Sequence, residues 1–228
     1  AAQVEFEAFR HTHLTHVPSR RAPDCSERVG TTCYWYAEGH ELPAEPADIT
    51  RAREQLLREL ESLAQSVPGN LWITEQRVRY LAESERYSDA VRVARECRGD
   101  GAGNGWRCEI LVGFAQHLAG AYTDAEQTYD SALLHMGAAD RCAWLDMSWL
   151  LDDVARGQYR STRCGDPERV AWAARTWSLA RPLYSRAGND ARTEFFARMT
   201  MVQMIADGPG PYRSEEHTSE LQSHHDLV

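Results

Sequence analysis

The chain has 228 residues, 43% of them hydrophobic and 9% aromatic, with a formal net charge of -9 and a mean hydropathy of -0.56. That is enough apolar material for the core of one domain or two small ones, and no run approaches the ~18 apolar residues that a membrane-spanning helix needs. The acidic balance argues against a nucleic-acid partner, because that binding depends on Lys and Arg neutralising phosphates. All the positive charge is Arg, with no Lys anywhere, the usage of a GC-rich bacterial genome. The opening Ala1-Ala2-Gln3 lacks Met and resembles what remains after signal-peptide cleavage.

Residues 1–48 contain Pro18, Pro23, Pro43 and Pro46 and one short apolar run, Cys33 to Tyr36, which predicts an irregular N-terminal arm. Within it His11, His13 and His16 have ligand-like spacing, but no fourth ligand stands at a fixed distance and no metal is expected. From Ile49 apolar residues recur every three or four positions until Pro68-Gly69, predicting an amphipathic helix. Further helices are predicted over 71–84 and 88–98, before a glycine-rich segment, 99–105, that lacks the Lys-Ser/Thr of a phosphate loop and reads as a linker. Helices resume over 106–118 and 124–136.

These last segments carry a family resemblance. Gly113, Gly120, Tyr122, Ala125, Tyr129 and Ala132 stand where a tetratricopeptide repeat places small and aromatic residues, and Tyr87 and Ala90 match Tyr122 and Ala125 at a spacing of 35, against a usual ~34. The first copy is degenerate, with Glu85 where Gly is expected and Arg77 at a normally apolar position. Covering residues 70–136, the resemblance implies a tetratricopeptide-like α-solenoid whose first helices line a groove for a peptide. The groove candidates it implies are Glu75, Arg79 and Glu83 from the first copy and Arg107, Ile110, Phe114 and His117 from the second.

Beyond it, Cys142 to Val154 shows another helical period. Asp166-Pro167 reads as the N-cap and first residue of a helix reaching Ala180, and a last helix runs from Asn189-Asp190 to Ala206. No segment shows convincing strand alternation. The expected fold is therefore all-α: about eight helices in antiparallel pairs behind an irregular arm (1–48), a repeat region (49–136) and C-terminal helices of the same domain (137–212). The final segment, 213–228, resembles a translated sequencing-library adapter from Arg213 to Ser223, so the native sequence is expected to end its legible part at Tyr212. His217, His224 and His225 then form no metal tract.

Six Cys residues admit fifteen pairings. Local ones, Cys25–Cys33, Cys97–Cys108 and Cys142–Cys164, each have a structural reason: they fasten the arm, the ends of the glycine-rich linker, and a helix start to the loop after it. Disulfides suggest a periplasmic or secreted protein, the alternative being a cytoplasmic one with buried thiols. No metalloprotease, nucleophile-elbow, phosphate-loop or dinucleotide motif occurs, and the carboxylates Asp146, Asp152 and Asp153 suit helix ends. The Arg residues at 77, 79, 86, 92, 95 and 98 alternate with Glu and read as a solvated face. The sequence thus predicts a non-enzymatic, cofactor-free exported protein that binds another protein or peptide; the alternative is an accessory helical module of a larger protein.

Overall fold

The computed structural model describes residues 1–13, 27–29, 32–34, 45–98, 105–181 and 187–208. The chain divides into two compact units, Ala1–Arg58 and one beginning at Glu59. In the first, residues Ala2–His13 form helix α1, whose covered side chains Gln3, Phe6 and Glu7 share one face. Strands β1 (Glu27–Val29) and β2 (Thr32–Tyr34) pair antiparallel, with Arg28 opposite Cys33. The expected irregular arm is therefore corrected: prolines begin only at Pro18, so nothing prevents a helix before it. Helix α2 (Ala47–Ser66) crosses the boundary between the units, and within the first Arg53 pairs with Glu45.

The second unit contains α3 (Leu71–Glu83), α4 (Tyr87–Arg95), α5 (Gly105–Leu118) and α6 (Tyr122–His135), which form two helical hairpins. Asn70 caps α3 by accepting a hydrogen bond from Ile73 N at 3.0 Å. The two hairpins share one joint geometry. Glu85 N donates to Ala82 O and Arg86 N to Leu81 O, both at 2.9 Å; 35 residues later Gly120 N donates to His117 O and Ala121 N to Gln116 O at the same distances. Arg86 (φ -85°, ψ 57°) and Ala121 (φ -84°, ψ 60°) then begin α4 and α6. Gly120 has φ +79°, and Glu85 adopts the same left-handed region at φ 57° despite its side chain.

Of the positions that carry the resemblance, Gly113 is buried and Gly120, at the turn, is exposed. Ala90, Ala125 and Ala132 have no exposed surface and Tyr129 almost none, while Tyr87 and Tyr122 are half-buried. Arg77, at the apolar position, is buried and pairs with Glu61. Burial lowers its pKa, Glu96 opposing and Arg92 adding to the fall.

After α6 the single helical period breaks into α7 (Ala138–Trp144), a 3-10 turn (Ser148–Leu150) and α8 (Asp153–Ser161). The freed carbonyls are taken up locally. Tyr159 Oη donates to Leu145 O at 2.9 Å, and Arg156 donates to Ser148 O and Leu151 O. Helix α9 (Pro167–Ala180) follows, starting at Pro167 as expected, but Asp166 accepts from Arg163 N rather than from the helix. Helix α10 (Asp190–Asp207) is capped by Asn189, whose side chain accepts from Arg192 N at 3.0 Å and donates to Trp177 O at 2.7 Å. Gly188, at φ +87°, lies where a Cβ would meet Thr123 N at 2.7 Å, so only glycine lets the chain cross the start of α6.

Two Cys pairs are at disulfide distance: Cys97–Cys108, joining the end of α4 to α5, and Cys142–Cys164, joining α7 to the turn after α8. Cys25, the 99–104 linker, His16 and the 213–228 tail lie outside the described residues. The fold among the described residues is all-α apart from the β1–β2 hairpin.

Candidate functional site

The seven groove candidates lie on α3 and α5, the first helices of the two hairpins. Glu83 and Arg107 are half-buried, and Glu75, Arg79, Ile110, Phe114 and His117 are buried. What covers this face is α10, which packs against both α3 and α5. Its first turns meet the last turn of α5 and its last turn meets the first turns of α3 and α5, so α10 runs antiparallel to both.

At the N-terminal end of α10, His117 Nδ1 and Thr193 Oγ1 share a 2.9 Å hydrogen bond, and His117 Nε2 lies 3.3 Å from Glu194 Oε2. Burial lowers the His117 pKa, Glu194 and Asp190 opposing and Arg198 adding to it. Hydroxyl, imidazole and carboxylate together are the residue types of nucleophilic catalysis. Here, though, Thr193 is fully buried and its hydroxyl also donates to Asn189 O at 3.1 Å. The trio clasps two helices together.

At the other end, Arg107 bridges two carboxylates. Its Nε donates to Glu75 Oε1 at 3.0 Å, its Nη2 lies 2.7 Å from the same oxygen, and Nη2 also pairs with Asp207. Burial acts to lower the Arg107 pKa, but Glu75 and Asp207 outweigh it and hold the guanidinium above its ordinary value. A carboxylate as buried as Glu75 needs this partner, because an unpaired charge away from water is costly. Trp72 Nε1 donates to Asp207 O at 2.9 Å and Gln76 Nε2 to Met204 O at 3.0 Å, satisfying carbonyls that a helix C-terminus leaves open.

Of the remaining candidates, Ile110 belongs to the core formed with Tyr129, Trp144, Phe195 and Phe196. Arg79 pairs with Glu83 one turn along its own helix at 3.0 Å, and its guanidinium lies 4.9 Å from the Tyr80 ring centroid. The face thus brings Glu75, Arg107 and His117 onto α10 and keeps Arg79 and Glu83 together on α3. Arg77 and Arg79 depart from the expected solvated Arg face by being buried.

Trp72 and Gln76 escaped the sequence reading, although Trp72 stands 35 residues before Arg107 and one turn before Gln76. The 35-residue spacing to Arg107 is the signal in the sequence that marks Trp72. Thr193, Met204 and Asp207 carried no local signal. Two of the carboxylates serve helix ends as expected: Asp152 accepts from Ala155 N at 2.8 Å and Asp146 from Ser148 N at 2.9 Å. Among the described residues no cluster of His, Cys, Asp and Glu could hold a metal ion, and no helix is long and apolar enough to cross a membrane. Comparison with protein-family models, with curated proteins and with solved structures finds no match to this chain.

Proposed function

We propose that this chain is a non-enzymatic, exported protein of tetratricopeptide-like construction that mediates protein contacts through the face lined by α3 and α5. The observation that carries this reading is positional. Trp72 and Arg107 occupy equivalent places in two hairpins of the same joint geometry, and both serve one residue of a helix laid across them. A surface built by repetition that accepts a helix is the physical basis of recognition by helical repeats. Export is supported by the Cys97–Cys108 and Cys142–Cys164 pairs, which are compatible with an oxidising compartment.

The test is comparative capture. Immobilised wild-type chain and an Arg107→Glu variant, both verified as folded by circular dichroism, are exposed to a periplasmic extract under oxidising conditions. The reading requires a protein that the wild type retains and the variant loses. Identical captured sets would defeat it. Intact mass before and after reduction gives a separate check on export, since a chain isolated from oxidising conditions with every thiol free removes that part.

A further inference from the structure

We propose that the last two turns of α10 are an exchangeable strap over a subsite made by Trp72, Gln76 and Arg107, and that this subsite takes the acidic C-terminal turn of a helix from another polypeptide. The inference rests on the reading of the α3–α5 face as an interaction surface.

The two halves of α10 are held differently. The first half is anchored by aromatic packing: Phe196 lies 5.1 Å from the Tyr129 ring centroid, and Phe195 lies 5.4 Å from both Trp149 and Trp177. In the second half Met204 is the one buried side chain beyond Thr200, while Val202 and Ile205 face outward. What fixes that half is chiefly polar: Gln76 and Trp72 donate to the main-chain carbonyls of Met204 and Asp207, which any helix ending there would present, and Arg107 pairs with the Asp207 carboxylate. An acidic residue at the last position of a helix opposes the helix dipole, and the Asp207 carboxylate offsets that by accepting from Gln203 Nε2 at 2.9 Å within α10 and by pairing with Arg107 across the face. Glu75 is the positioning residue here: its buried carboxylate holds the Arg107 guanidinium so that Nη2 reaches the strap. The hydroxyl of Thr200 is satisfied within α10, donating to Phe196 O at 2.8 Å, and so adds no bond to the face. The subsite therefore recognises a helix end plus a carboxylate rather than one particular sequence.

The experiment uses the full chain and, as probe, a labelled synthetic peptide with the sequence of residues 196–208. Asp207→Ala in the chain frees the strap without altering the subsite. The expected result is binding of the probe about tenfold tighter by the Asp207→Ala chain than by wild type, as loss of one charge-assisted bond from an intramolecular competitor implies. The same probe carrying Asp207→Asn should bind less tightly. A folded Asp207→Ala chain that gains no affinity overturns the proposal. So that misfolding of the variant cannot mask the answer, hydrogen exchange is read on the wild type: amides of 204–208 should exchange about tenfold faster than those of 195–200, beyond ordinary fraying of the final residue. Equal protection overturns it too. Failure here removes the exchange at the end of α10; the capture comparison reads a different outcome, retention of a partner by the wild type and its loss by the Arg107→Glu chain, so the two failures are distinguishable.

Discussion

Gly113 and Tyr129 fit one another across the second hairpin: a Cβ on Gly113 would lie 3.0 Å from both Cε1 and Cζ of the Tyr129 ring. At the equivalent places of the first hairpin stand Val78 and Ala94, both buried. The larger side chain thus comes from α3 in one pair and from α6 in the other, which keeps the interior filled while the period is maintained.

Gly113→Ala should therefore overpack the second hairpin. The Tyr129 ring is buried and a Cβ would press on it directly, so a loss of about 1 to 3 kcal/mol is expected, with helical content kept. Urea unfolding compared with wild type measures it; an unchanged midpoint would mean that the helices separate freely.

Glu85 predicts the opposite sign. It holds a left-handed backbone where the second hairpin uses Gly120. Glu85→Gly should stabilise the chain by about 1 kcal/mol, and Gly120→Ala should destabilise it by a similar amount. Thermal or denaturant midpoints of the two variants moving in the same direction would contradict the shared joint geometry.

Arg107→Ala should cost about 3 kcal/mol, because it removes the charge-assisted contacts that Arg107 Nε and Nη2 make to the buried Glu75 carboxylate. The double variant Arg107→Ala with Glu75→Gln should recover much of that loss, since a neutral amide tolerates the site better. A double-mutant cycle gives the coupling, and strict additivity would show that the pair is not coupled.

His117 sets a pH dependence. Burial, outweighing Glu194, holds its pKa below the ordinary value of about 6.5, so the unfolded chain binds the proton more readily than the native one. Its contribution is complete above that value and is lost as pH falls through the lower native pKa. The Glu194 pKa is lowered, chiefly by its hydrogen bond from Arg198, and its contribution is lost only further down, through the carboxylate range. Denaturant midpoints should fall as the pH is lowered from about 7 through the depressed native pKa of His117, and His117→Gln should flatten that slope. An unaltered slope in the variant would assign the dependence elsewhere.

The local order is legible in the residues alone: apolar spacing placed α2 to α6, the 35-residue recurrence of Tyr87 and Ala90 in Tyr122 and Ala125 marked the hairpins, and Cys spacing anticipated the Cys97–Cys108 and Cys142–Cys164 pairs. Apolar spacing misjudged residues 2–13, where three buried side chains on one face are too short a signal. It also misjudged 142–154, where Asp146 and Asp152 draw backbone N–H groups away from a continuous helix. What lies on the α3–α5 face follows from long-range packing, not from local pattern. Asp207 meets Trp72 across 135 residues of chain, and such a contact is selected by the complementarity of two finished surfaces. Periodicity reports which side of a helix is covered; it carries no information about which helix covers it.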